Sequence, residues 1–461
     1  MCLSVVSLFA QNFPHYVDMN IGETVNIEDF PPVTLVSKSV DYLEQRVKGV
    51  RLGWVKNRIG AASALIKIDE EEITVPVGYQ SEDVIVGKVR IGVEFISDYE
   101  DKYPSKRLHL EKAARIRIAR AGEPLMPKGS HVYPLFTPWN SGFRNIVFLS
   151  VATGIDALEG DYLAGMGRYH DGFDFGTWEG QLVRSVCRGI VISPDDYPEL
   201  IEKGILYNIN NRRIGTNPFL MKHPQLPLFY YYTHLGGLAR NFQEGEIIEK
   251  GEIIGYASDR GNSGGWFHLH FSMILPEQKI HINPFPFVAE WYTESMPHYK
   301  DFLSDFEVYY QEDINPKEKE SFEAAVLTEQ IPCTQYFHNS IPGAIHLREA
   351  VAKASYSALN HVLFNQFAVL KGTFNSPGQI QGELWFGHTG IARLYLNGEK
   401  IYSGENKTPY HRSVQPFQAD SKMIQCLYKQ GQNEVIIAIE QTNPFWSFSI
   451  RPRTRLGLPL N

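Results

Sequence analysis

His268-Leu269-His270-Phe271 alternates imidazole with an apolar side chain at a spacing of two. In an extended strand successive side chains point to opposite faces, so the two histidines share one face while Leu269 and Phe271 enter a core. The surroundings extend this strand reading. Glycines cluster at Gly165, Gly167, Gly172, Gly176, Gly180 and Gly189, and again at Gly251, Gly255, Gly261, Gly264 and Gly265. Such punctuation suits short strands joined by tight turns better than helices. The segment from about 150 to 290 is therefore expected to be an antiparallel β-sheet domain.

Two more stretches of this segment carry chemistry-bearing residues: Tyr169-His170-Asp171-Gly172-Phe173-Asp174 and Tyr230-Tyr231-Tyr232-Thr233-His234-Leu235. Singly, each is weak. A chain of 461 residues with 15 histidines contains some His-x-His pair by chance about half the time, so ordinary strand histidines are the competing reading. His-x-x-x-Asp is equally common as a solvated turn. Its geometry is nevertheless informative. Four residues of strand span ~13 Å, whereas two ligands of one zinc lie at most ~4 Å apart, so the chain must bend between His170 and Asp174. Gly172 is placed to allow that bend. Two imidazoles and one carboxylate are a suitable three-ligand set for zinc and leave a fourth position for water. Two imidazoles side by side at 268 and 270 can divide the labour, one binding metal and one exchanging protons. Cys187, in Arg184-Ser185-Val186-Cys187-Arg188-Gly189, reads as a buried structural thiol.

Taken together and in order, these residues resemble the lysostaphin-type zinc metallopeptidases, endopeptidases that cut the peptide cross-links of bacterial cell wall. The family's His-x-x-x-Asp, Tyr-x-His-Leu and His-x-His-Phe signatures stand here as His170 to Asp174, Tyr232-Thr233-His234-Leu235 and His268-Leu269-His270-Phe271. The stretch from Glu244 to Gly255 also looks like the family's glycine-punctuated run before the last motif. The resemblance covers about 165–285. It implies one Zn2+ ion held by His170, Asp174 and His270, with His234 and His268 as unligated catalytic histidines. In that scheme His268 is the general base and His234 the oxyanion stabiliser. The 193–229 stretch is long for the family and is expected to be an irregular insertion that walls, selects or covers the site. Tyr230, Tyr231, Trp266 and Phe267 would line a groove if exposed and flank a core if not.

The rest of the chain bounds the reading. At ~150 residues per domain its length suggests about three domains, mainly β. Apolar residues make up 43% and charged residues 21%, with no stretch long and apolar enough to span a membrane. A net charge of -8 leaves no basic footprint, so nucleic acid is not expected as a partner. Cys2, Cys187, Cys333 and Cys426 are too scattered for a disulfide framework.

Residues 1–10 read as the back half of a secretory signal peptide or else as a buried first strand; the signal reading places the protein in the periplasm or outside the cell. Residues 11–150 read as a β-rich N-terminal domain, with Ala114-Arg115-Ile116-Arg117-Ile118-Ala119-Arg120 showing a strand's alternation. Residues 151–295 are the metallopeptidase domain and 296–364 a helical linker. Residues 365–461 read as a C-terminal β-sandwich, through the Asn397-Gly398 hairpin signal. That sandwich is similar in pattern to galactose-binding-like domains, which implies carbohydrate contact through Trp385, Tyr402 or Trp446, or core packing by the same residues. Peptidoglycan or another short peptide is the expected substrate. A cell-wall-binding or scaffolding protein that keeps the peptidase fold without catalysis is the alternative.

Overall fold

The computed structural model describes residues 13–43, 58–77, 83–96, 110, 112–135, 154–155, 169–170, 172–177, 180–206, 217–260, 267–295, 302–311, 314–338, 345–352, 366–406, 421–442, 446–456, 458 and 460. Residues 1–10, read as a signal, lie outside them, as does the loop Gly261–Gly265 with Trp266. The chain divides into two compact units, Met1–Phe136 with Leu149–Ser295, and Thr137–Phe148 with Met296–Asn461. It is mainly β throughout.

The first unit begins with an eight-stranded sheet. Its central strands, Val89–Ile96 and Ala114–Arg120, pair antiparallel, and Met19, Val33, Ile66, Val75, Ile91, Ile116 and Ile118 form its core. The alternation around Arg115 and Arg117 does make a strand, but the arginine face is buried too. Arg117 sits between Glu94, at 2.7 Å, and Asp83, at 2.6 Å. Arg115 binds Asp18. A strand with paired charges on its second face can be covered on both sides, which alternation alone does not reveal. Burial raises the Glu94 carboxyl despite Arg117. It would raise Asp83 as well, but Arg117 and Arg90 together hold that carboxyl below its ordinary value.

This charged face meets the peptidase segment. Glu94 accepts the Asn283 N–H at 2.6 Å, and Arg90 binds Glu290 on helix Phe285–Ser295. The stretch that follows the sheet runs along the same helix: the Leu125 N–H donates to Glu290, and the Tyr133 N–H to Ser295.

The peptidase segment is built on a seven-stranded antiparallel sheet. Its order is Phe173–Gly176, His268–Leu275, Phe229–Thr233, Phe219–Lys222, Gly189–Val191, Ile247–Ile248, with Ile280–Ile282 also pairing with His268–Leu275. A three-stranded sheet of Leu182–Arg184, Ile253–Ala257 and Leu235–Leu238 lies beside it in sequence, and Tyr169–His170 pairs with Gly154–Ile155. Part of the expected insertion is regular. Phe219–Lys222 is a strand of the main sheet, and Pro198–Glu202 is a short helix whose Leu200 packs with Ile205, Leu206, Leu220, Tyr231 and Ile274.

The second unit has a six-stranded and a four-stranded sheet that share one core, with Val308, Leu370, Leu394 and Ile437 from one and Leu384, Phe386, Phe448 and Ile450 from the other. The Asn397-Gly398 hairpin forms, with positive φ at both residues as its turn chemistry demands. The 296–364 stretch, expected to be a helical linker, is instead part of this unit. It holds helices Lys319–Leu327 and Leu347–Ala352, but also strand Asp305–Tyr310, which pairs with Phe367–Ser376. Phe306, Val308 and Tyr310 alternate along that strand and enter the shared core. Their period of two was masked by the charged, helix-favouring residues around 317–325. Trp446 is core, and Tyr402 packs on Phe386 while its hydroxyl bonds His388. Among the described residues no helix is long and apolar enough to cross a membrane.

Candidate functional site

Strand register brings most of the expected residues together. Asp174 lies opposite His270, and Thr233 lies opposite His270 on the other side. Cross-strand partners share a face, so positions 174, 270 and 233 form one row across three strands. His268, two residues before His270, stands on the same face of the same strand. Phe173, Phe175, Leu269, Phe271, Tyr230 and Tyr232 belong to the opposite face and are all buried.

His234 joins this group by a different device. It is the residue between strand Phe229–Thr233 of the large sheet and strand Leu235–Leu238 of the small one, and its φ is +60°. A left-handed residue at that point turns the chain from one sheet into the other. The His234 ring lies 4.4 Å from that of His268 and 6.0 Å from that of His270, centre to centre. Its Nδ1 is 2.9 Å from the Arg260 carbonyl oxygen. A carbonyl only accepts, so Nδ1 carries a proton and Nε2 is the atom that gains or loses one.

His270 is set by close neighbours. A Cβ added at Gly172 would lie 2.6 Å from His270 Nε2, so the bend between His170 and Asp174 needs glycine for contact as well as for turning. Ser272 Oγ is 3.0 Å from the same Nε2. With Nε2–H donating to that hydroxyl, Nδ1 would be the ring's lone-pair atom, the arrangement a metal-binding imidazole uses. These contacts, and a donor set of two imidazoles and one carboxylate, fit a zinc ion. The backbone of His170 is placed in a strand ahead of the bend. Thr233 and Ser272 were not singled out from sequence. Their positions two residues from Tyr231 and His270 on an alternating strand were the signal.

Tyr230 and Tyr231, expected to line a groove if exposed, are buried. Tyr231 packs with the short helix of the insertion on the histidine face of the sheet, so that insertion walls the face at the end away from His268.

The opposite face holds a second group of histidines. His131, Cys187 and His223 are all buried, with potential ligand atoms within 4.8 Å of one another. Cys187 is the buried thiol expected, its pKa pushed by burial to about 12. The two histidines beside it lie far from it in sequence, which is why they went unremarked. Their hydrogen bonds assign the protons. Ser130 Oγ donates to the Pro127 carbonyl and so accepts from His131 Nδ1–H, while the Tyr230 hydroxyl, 2.6 Å away, donates to His131 Nε2. His223 Nδ1 accepts the N–H groups of Gln225 and Leu226, so its own proton sits on Nε2. That leaves His223 Nε2 without a lone pair and His131 Nε2 already engaged. This cluster does not fit a metal.

The segment that carries the first of these two groups is similar to known peptidases. Residues 168–284 match the family model described as Peptidase family M23. A 132-residue stretch is 27% identical to the L-Ala--D-Glu endopeptidase of Bacillus subtilis (strain 168), covering 27% of this chain and 36% of that protein. The chain thus spans about a third of the length of this curated relative. Among solved structures, the catalytic domain of lysostaphin from Staphylococcus simulans is 23% identical, with 27% of this chain and 81% of that one covered and a TM-score of 0.21. A zinc-containing peptidase from Vibrio cholerae is 14% identical over 53% of this chain and 55% of that one, with a TM-score of 0.23. The likeness to Peptidase family M23 is thus carried by the segment 168–284.

Proposed function

We propose that the protein is a zinc-dependent metalloendopeptidase that hydrolyses peptide bonds in peptidoglycan cross-links, working in the periplasm or outside the cell. The observation that carries this is the convergence of His234 and His268, 4.4 Å apart, beside His270 on a domain that matches the M23 family. In this reading His170, Asp174 and His270 hold one Zn2+. When bound, the ion supplies Lewis-acid polarisation and lowers the pKa of water from 15.7 toward ~7.

The chain's own residues then move protons and orient the peptide. His268, only 2% exposed, takes the proton of the attacking water as general base. His234, with Nδ1–H committed to the Arg260 carbonyl, donates to the oxyanion that forms on the peptide carbonyl when Nε2 is protonated as well. Both groups are fixed before substrate arrives. The packed cluster of Leu200, Leu206 and Tyr231 covers the histidine face of the sheet at the end away from His268. The second unit, which includes residues 365–461, is proposed to act as an accessory domain, with carbohydrate contact through the half-buried Trp385.

The test is digestion of purified peptidoglycan with and without a zinc chelator, with fragments identified by mass spectrometry. Chelator-sensitive new amino termini are expected, and His268→Ala is expected to keep its zinc while losing cleavage. Intact wall in the presence of zinc-loaded protein would favour a wall-binding role without catalysis.

A further inference from the structure

Between the two proposed catalytic histidines lies a residue that touches both through the backbone. Ser258 pairs with His268 as an isolated bridge, its carbonyl accepting the His268 N–H at 3.3 Å. Its own N–H donates to the His234 carbonyl at 2.9 Å. Its hydroxyl also donates to the His234 carbonyl, at 2.9 Å, and accepts the Arg260 N–H at 3.1 Å. The Arg260 carbonyl in turn accepts Nδ1–H of His234.

These bonds close a ring that starts and ends on His234. From its main-chain oxygen the ring passes through the Ser258 hydroxyl and the Arg260 peptide, and returns to its imidazole. The ring does two things at once. The doubled hydrogen bond on the His234 carbonyl holds a non-glycine residue at φ +60°, which side chains otherwise disfavour. The bond to the Arg260 N–H fixes the loop carbonyl that selects the imidazole tautomer. Ser258 is 6% exposed and has no room to serve as a surface group. A hydroxyl has one proton and spare lone pairs, so this single side chain can donate to one partner and accept from the other.

We infer that Ser258 is a positioning residue for catalysis, holding His234 in both its backbone conformation and its Nδ1–H tautomer. The inference rests on the peptidase reading for its kinetic consequence, but not for its structural one. Removing a hydrogen bond that orients a metal-ligating side chain costs ~10–100-fold in activity, and a comparable loss is expected where the oriented group is a catalytic imidazole.

Three measurements test it on the full chain. Ser258→Ala is expected to lower kcat toward a wall cross-link peptide ~10–100-fold with KM and zinc content little changed, and Ser258→Thr to restore most of it. Ser258→Cys keeps the volume while weakening both hydrogen bonds, and should fall with Ser258→Ala should the latter fold poorly. In a His234→Ala background, Ser258→Ala should cost nothing further, because a group that acts through His234 has nothing left to position. Independently of activity, the ring 15N shifts of His234 should report one Nδ1–H tautomer in the wild type and a mixture in Ser258→Ala. An unchanged tautomer in the variant, or an equal kinetic loss with and without His234, would overturn the inference. Absence of cleavage by the wild type would overturn the peptidase reading, while the tautomer measurement would still decide the role of Ser258.

Discussion

The two faces of the central sheet each gather histidines, and they use them in opposite ways. On one face the His234 ring stands 4.4 Å from that of His268 and 6.0 Å from that of His270, with His234 Nδ1 bonded to the Arg260 carbonyl and His270 Nε2 beside the Ser272 hydroxyl. On the other, His131 and His223 stack at 5.7 Å beneath Trp291, and every hydrogen bond ends on another protein group. Burial lowers both of these histidines, His223 to about 4 and His131 well below its ordinary value. Proximity of histidines and a thiol is therefore not enough to make a metal site. What the second nitrogen of each ring is doing decides whether a lone pair remains for the ion.

The sharpest way to break this comparison is to remove one imidazole from each face and count metal. His270→Ala should lose its zinc and, with several kcal/mol of transition-state stabilisation gone, fall by ~10³-fold or more in cleavage rate. His223→Ala should keep the wild-type zinc content. A loss of zinc from His223→Ala, measured by atomic emission on dialysed protein, would move the metal to the wrong face and undo the assignment.

The site face was legible because its information is local. The alternation in His268-Leu269-His270-Phe271 sorted the two faces, and the spacing of His170 and Asp174 called for a bend that Gly172 supplies. The other face was not legible, because periodicity says which residues share a side and never which distant segment will cover it. His131 arrives from the stretch that follows the N-terminal sheet, Cys187 from a loop before strand Gly189–Val191 and His223 from the end of strand Phe219–Lys222. Arg117 taught the same lesson, since alternation puts Arg115 and Arg117 on one face without showing that Asp83 and Glu94 meet Arg117 there in a buried cluster. Ser258 escaped notice for a further reason: its value lies in three main-chain partners, and main-chain groups leave no trace in side-chain motifs.

The sealed face should also show in acid stability. His223 has a folded pKa of about 4, against an ordinary value of 6.5. Above pH ~6.5 it is neutral folded and unfolded, so its full contribution is present there. As pH falls from ~6.5 towards ~4 the unfolded chain takes up a proton that the folded one refuses, and stability drops by at most about 3 kcal/mol. His388 in the second unit is depressed similarly, so the informative quantity is the difference between wild type and His223→Gln. Thermal melts across this window should converge as the pH falls, with the variant losing less. Parallel curves would mean that His223 is not held neutral.

The smallest effect expected is the most specific. Tyr230 carries the hydroxyl that donates to His131 Nε2 and that also bonds Cys187, and its ring stacks on Phe271 at the back of the histidine strand. Tyr230→Phe keeps the ring and removes only the hydroxyl, leaving the buried His131 Nε2 without its donor. An unsatisfied buried acceptor costs about 1–3 kcal/mol, which should appear as a lower melting temperature. The strand itself is held by its ladder with Phe229–Thr233 and by the packed rings of Phe173, Phe175 and Tyr232, so His268 and His270 should keep their positions. Cleavage rate and zinc content at a permissive temperature should then match the wild type. A fall in both would show that the two faces are coupled through Phe271, and that the hydrogen-bonded cluster behind the sheet sets the geometry of the chemistry in front of it.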